Sequence, residues 1–352
     1  MGIARGRFVV DTHVHAQRHA VKFKERGLKP DYATLALEMR LSSEVEVYDN
    51  TPRLLYDMER YGIDMCVIMP AFGMSDDLNA QIEKKYPNKF IGMCGATDYM
   101  GKVRRGEIEW LVKDLCKELE KLLEAGYFRG GIGEGIPFNP RPKNPYTWEE
   151  RFTEICQIME VARKFKVPVS YHTGLPTGYA GTLFQLGRPR TDLGNPLFAS
   201  DVAATFPDVT IILHHGGMQG GWSEMYLEAS FQVAASHPNV YLETGLYWAE
   251  LYEKPLRDPN IGAEKLIWGT DWGASIPQQW WPGGYPTTYP DQNRQQGIPD
   301  HQVDVFGWSL RQLDKLDIPQ DDLNLILGGN AVRIFKLEDK VPHKRLFKEY
   351  LR

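Results

Sequence analysis

A chain of 352 residues with 41 basic and 46 acidic side chains, a formal net charge of −5 and an isoelectric point near 6.0 offers no basic field to a phosphate backbone, which argues against a nucleic-acid partner. No apolar run approaches the roughly 20 residues needed to span a bilayer, which argues against a membrane partner. Met1 to Arg7 lead into the first strand without a signal-peptide core, so the cytoplasm is the expected compartment, and Cys66, Cys94, Cys116 and Cys156 form no Cys-x-x-Cys pair and read as buried reduced thiols.

In chain order, apolar runs bounded by turn signals predict eight strands: Phe8–Asp11, Met65–Met69, Phe90–Gly95, Tyr127–Gly133, Val167–Tyr171, Val209–Leu213, Val240–Glu243 and Leu266–Gly269. Helical period fills the intervals at Pro52–Tyr61, Leu78–Tyr86, Glu107–Ala125, Trp148–Phe165, Pro196–Phe206 and Trp222–Ser236. Two more helical patterns, Val303–Leu316 and Gln320–Phe335, make a C-terminal helical stretch over 303–336. Strands too apolar to leave one face in water, alternating with helices, predict an α/β fold, a single (β/α)8 TIM barrel over residues 1–352.

Two long insertions, 16–50 after the first strand and 274–302 after the eighth, fall on the C-terminal face where barrels of this kind assemble their sites. The second carries Trp280, Trp281, Tyr285 and Tyr289, large apolar faces that a monomer would not leave wet. That loop is expected to close the site, to bury against another subunit, or both. A homo- or hetero-oligomer is the expected state.

Several of the strands end in metal-ligand residue types. His13 and His15, two apart at the end of the first strand, point to the same side and can reach one ion. His172 closes the fifth strand, and Asp271, between Gly269-Thr270 and Trp272-Gly273, closes the eighth, where its carboxylate can bind metal or take a proton from water. His214 and His215 compete for one position, because alternation lets only one of two neighbours face the mouth. His215, beside Gly216-Gly217, is the expected ligand, and His214 the one packed or bonded within the wall.

Glu134, flanked by Gly133 and Gly135 at the end of the fourth strand, has no apolar reason to be there. It is read as a bridge between two ions, with a salt bridge to Arg129 or Arg141, or an acceptor role toward a ligating histidine, as the other readings. If it bridges, His13, His15 and Asp271 hold one ion and His172 with a strand-six histidine the other. Arg40, in the first insertion with Arg18, His19 and Lys22, is the candidate clamp for a substrate carboxylate, although solvated charge is the plainer reading of that group. Tyr247 and Trp272 are further candidates for the substrate side. Glu243, Tyr247 and Trp248 are placed to support the ligands or line the wall, and Trp272, Trp280 and Trp281 to form an apolar wall or lid or to pack at an interface.

This order of ligands resembles the amidohydrolase superfamily. The closing segment Ile326-Leu327-Gly328-Gly329-Asn330-Ala331-Val332-Arg333-Ile334-Phe335 resembles the end of its amidohydrolase-related branch, which includes nonoxidative decarboxylases such as aminocarboxymuconate semialdehyde decarboxylase. The resemblance spans Asp11 to Phe335 and implies His13, His15, His172 and Asp271 as ligands, with His215 in the place of a catalytic histidine. Gly131-Ile132-Gly133-Glu134-Gly135 is similar to the bridging-glutamate segment of TatD-type binuclear hydrolases, and the layout also resembles dinuclear iron or iron–manganese oxygenases such as the aminoisobutyrate hydroxylase. The expectation is therefore a hydrolase with two divalent ions, zinc, manganese or iron. Asp271 and His215 are its catalytic residues and a small amide, ester or lactone carboxylate its substrate. The rivals are an oxygenase hydroxylating a small acid, a one-metal decarboxylase, and a noncatalytic partner subunit, against which the complete ligand set argues.

Overall fold

The computed structural model describes residues 2–20, 46–70, 74–133, 147–174, 194–219, 224–273 and 304–342. Eight parallel strands form one sheet in the order β1 (Val10–Val14), β4 (Met65–Ile68), β5 (Phe90–Cys94), β6 (Gly131–Ile132), β7 (Val169–Gly174), β8 (Ile211–Gln219), β9 (Val240–Glu243) and β10 (Leu266–Ile267). The ring closes where the Thr12 N–H donates to Trp268 O at 2.9 Å and the His15 N–H to Trp272 O at 2.7 Å. The predicted (β/α)8 barrel is the fold. Part of the first insertion is not loop but an antiparallel ribbon of β2 (Gln17–Ala20) on β3 (Glu46–Asp49). Residues 274–302, with the aromatic groups expected to cover the mouth, lie outside the described residues, as do Arg40 and Glu134.

The helices are α1 (Thr51–Tyr61), α2 (Asp76–Lys85), α3 (Thr97–Arg105), α4 (Val112–Glu124), α5 (Trp148–Phe165), α6 (Phe198–Thr205), α7 (Glu224–Ser236), α8 (Ala249–Arg257), α9 (Val305–Asp314), α10 (Gln320–Asn324) and α11 (Asn330–Phe335). Local chemistry sets their ends. Thr147 and Glu150 form a reciprocal capping box on α5, and Gly62 ends α1 in the left-handed conformation. The helix expected from Glu107 begins only at Val112, because Leu111 is extended and both its N–H and C=O bond the Tyr99 hydroxyl, at 2.8 and 2.9 Å. Two helices escape the sequence pattern: α3 follows a left-handed Ala96 with no side-chain cap, and α8 carries Pro255 in its last turn.

Two apolar layers hold the barrel. Inside it, Val10, Met65, Val67, Ile91, Met93, Ile212 and Ile267 pack together and run on into Ala331, Val332 and Phe335 of α11. The larger layer lies between the strands and the surrounding helices. A five-residue π-helix, Leu325–Gly329, joins α10 to α11 and brings its backbone against the end of β10 and the residues leading into β1: Ile326 O accepts from Trp268 N–H, and a Cβ at Gly328 would lie 1.9 Å from Phe8 O. Only glycine fits there.

Candidate metal centre

The C-terminal ends of β1, β7, β8, β9 and the segment after β10 converge on one buried cluster. His13 Nε2, His15 Nε2 and Asp271 Oδ1 lie 3.3, 3.3 and 3.1 Å from one another. Each imidazole has its opposite nitrogen committed: His13 Nδ1 donates to Glu243 Oε2 at 3.1 Å and His15 Nδ1 to Met69 O at 3.0 Å. A neutral imidazole carries one N–H, so the Nε2 lone pairs face each other and the carboxylate. Among the described residues Asp271 Oδ1, although buried, accepts no hydrogen bond. Three converging lone pairs repel unless a cation lies among them, and ligand bonds of about 2.0–2.2 Å put neighbouring donor atoms about 3.3 Å apart. The donor set fits a divalent ion, and the carboxylate behind His13 is the usual support for such a ligand.

Asp271 sits at φ +55° in the left-handed region, uncommon for a residue with a side chain. Asp11 holds this turn: it accepts the His13 N–H at 2.9 Å, the Thr270 N–H at 3.1 Å and the Thr270 hydroxyl at 2.6 Å, tying both ligand-bearing segments together. Burial pushes the Asp11 carboxyl up to about 7 against the lowering effect of those bonds. At Asp271 burial also opposes charge, and only a positive charge beside it, such as that of a doubly protonated His13, holds its carboxyl below the usual range. Asp11 is absent from the predicted site residues. The available signal is its position, a carboxylate in an otherwise apolar strand two residues before a ligand.

The paired histidines depart from simple alternation. Ile211 and Leu213 belong to the outer layer and Ile212 to the barrel filling, so period two points His214, not His215, inward. His215 then takes φ +61°, followed by Gly216 at +51° and Gly217 at +91°, and this left-handed run turns its ring back to the same side. Both rings consequently pack against His13, at centroid distances of 4.3 Å for His214 and 5.0 Å for His215. His215 Nε2 also lies 3.3 Å from His172 Nδ1, so a second donor pair adjoins the first set. Alternation alone, which lets one of the two face the mouth, therefore does not describe the pair, because both rings lie on the His13 side.

Glu243, expected only as wall or support, is the hub. Its Oε2 accepts the His215 N–H at 2.8 Å as well as His13, and its Oε1 accepts the Gly245 N–H at 2.8 Å. Burial raises its pKa, but the hydrogen bond from His13 opposes that and holds it below the ordinary glutamate value. His13, His215 and Glu243 also bring one ligand atom each within 4.8 Å of the others.

Tyr247 and Trp272, expected on the substrate side, are wholly buried in the outer layer. The Tyr247 hydroxyl donates to Gly216 O at 2.9 Å, and the Trp272 indole donates to Asp57 of α1 at 3.1 Å while its ring stacks on Phe306. Their polar atoms are engaged by protein, so both back the ligand segments rather than face the mouth.

A parallel barrel with a histidine–carboxylate cluster at its C-terminal end defines a class, the metal-centred barrel enzymes. Within it, the chain belongs to the amidohydrolase family, whose model matches residues 10–337. Comparison with curated proteins gives no match. Among solved structures, 5-carboxyvanillate decarboxylase of Novosphingobium aromaticivorans, complexed with manganese and 4-hydroxy-3-methoxy-5-nitrobenzoic acid, has a TM-score of 0.54 at 16% identity, covering 94% of this chain and 97% of that one. An amidohydrolase of Burkholderia multivorans with bound zinc has a TM-score of 0.50 at 11% identity, covering 94% of this chain and 99% of that one. At such identities the likeness establishes the fold. Among the described residues no helix is long and apolar enough to cross a membrane.

Proposed function

We propose that this chain is a hydrolase of small polar carbonyl compounds that works with two divalent ions, zinc, manganese or iron. The observation that carries the reading is the adjacency of two donor groups, the His13–His15–Asp271 triangle with edges of 3.1 to 3.3 Å and the His172–His215 pair at 3.3 Å. The manganese and zinc of the two solved structures support a divalent ion. On this reading His13, His15 and Asp271 would hold one ion, His172 and His215 the other, and Glu134 would be the carboxylate shared between them.

Ions bound there supply Lewis acidity, polarising a carbonyl and lowering the pKa of water. The protein's part is proton handling and orientation. Asp271 takes the proton of the attacking water and returns it to the leaving group. Glu243 keeps His13 in the Nδ1–H tautomer, and Met69 O does the same for His15. Arg40 is the proposed clamp for a substrate carboxylate, with His215 the second residue on which turnover depends.

The test is elemental analysis of protein purified without added metal, paired with assays on carboxylate-bearing amides, esters and lactones in which CO2 release and O2 uptake are followed together. Hydrolysis with about two ions per chain supports the proposal. CO2 release with one ion replaces it with decarboxylation, and O2 uptake with bound iron replaces it with hydroxylation.

A further inference from the structure

One oxygen atom serves both donor groups. Glu243 Oε2 accepts the His13 Nδ1–H of the first group at 3.1 Å and the main-chain N–H of His215, from the second, at 2.8 Å. The His215 bond falls on a residue whose backbone lies at φ +61°, a conformation that a histidine adopts only when its surroundings hold it. A hydrogen bond to an ionised carboxylate is among the stronger holds available, and the Gly245 N–H on Oε1 at 2.8 Å fixes the carboxylate in turn. Released from that oxygen, His215 is free to relax toward ordinary strand geometry. Alternation would then carry its ring away from His172 and His13.

We propose that Glu243 is a positioning residue that couples the two donor groups, orienting the His13 ring and holding the left-handed His215 backbone with the same carboxylate. The coupling rests on the two-ion reading above, whereas the anchoring of His13 and His215 does not. Loss of the carboxylate is expected to weaken every bound ion, not one of them. A glutamine is a poor substitute: with a single acceptor oxygen, it leaves its NH2 facing either the Gly245 N–H or the pair from His13 and His215.

The experiment is a Co2+ titration of metal-free protein, followed by visible absorption and calorimetry, for wild type, Glu243→Ala, Glu243→Gln and Glu83→Ala. Glu83 bonds the Gly92 N–H at 2.6 Å, away from the cluster, and its variant controls for general destabilisation. Expected is a loss of about 10- to 100-fold in Co2+ affinity for every ion in Glu243→Ala, a smaller loss in Glu243→Gln, and none in Glu83→Ala even where its melting temperature falls. Wild-type affinity in Glu243→Ala, or one of two ions unaffected, overturns the proposal. If the alanine variant does not fold, wild-type affinity in Glu243→Gln does so. A wild type that takes a single ion overturns the two-ion reading instead, and the anchoring is then decided by the loss at that ion.

Discussion

Glu243, at the ligand-bearing end of the barrel, and Glu83, on α2 against β5, are both buried glutamates whose acidities move in opposite directions. Burial alone raises both. At Glu83 it wins: one main-chain donor, Gly92, with Arg129 and Lys340 nearby, leaves the carboxyl pushed up to about 8. At Glu243 three N–H donors hold it below the ordinary value despite complete burial. The difference lies in what meets each carboxylate: Glu243 receives N–H groups from β1, β8 and the end of its own strand, Glu83 a single one from β5.

The largest expected effect breaks the ligand end outright. Asp271→Asn keeps the shape of the side chain but removes the charge from the triangle of donors, and should lower both bound metal and turnover by more than about a hundredfold, beyond what loss of a supporting residue costs. Metal analysis of purified protein checks it, and a variant that retains its metal would remove Asp271 from the ligand set. Next comes the histidine pair. Because His215 adjoins His172 while His214 stacks on His13, His215→Asn should abolish most activity and His214→Asn should reduce it about tenfold. Equal losses would mean that both rings ligate, and the reverse order would exchange their roles.

The barrel was legible because its strands are fully apolar and regularly spaced, and burial on both faces leaves that pattern plain. His13, His15, His172 and Asp271 were legible as ligand types closing such strands. What escaped depends on backbone conformation. Alternation cannot foresee that His215 takes φ +61° and joins His214 on one side, nor that Tyr247 and Trp272 turn outward into the layer beneath the helices. The hub role of Glu243 was hidden for a related reason: its three donors come from β1, β8 and its own strand's end, contacts created only by closing the barrel.

A third prediction sharpens the backbone half of the comparison. Gly216 lies at φ +51°, and a Cβ there would sit 2.1 Å from the Tyr247 hydroxyl and 3.0 Å from Glu243 O. Gly216→Ala must displace Tyr247 or the main chain of Glu243, at a cost of about 1–3 kcal/mol, and should lower the melting temperature by a few degrees. The same change should reduce metal affinity, since it disturbs the anchor of His215. A stability loss with metal binding intact would uncouple the turn from the site.

The last effect is a slope, small over any one pH unit. With its folded pKa near 8 and an ordinary glutamate value of 4.5, Glu83 is protonated in both states at low pH. Between those values the unfolded chain gives up its proton while the folded chain keeps it. The stability contributed by the protonated form therefore drains away as pH rises from about 4.5 to about 8, at no more than about 1.4 kcal/mol per pH unit for one proton. Glu83→Gln still accepts from the Gly92 N–H but has no proton to lose. Its unpaired NH2 adds an offset that does not vary with pH, so the difference in melting temperature between variant and wild type, rather than its absolute size, carries the test. That difference should move in favour of the variant from pH 5 to pH 8 and level off above. Thermal melts across this range check it, and a difference that stays flat would show that Glu83 is already ionised in the folded protein, leaving the two glutamates alike.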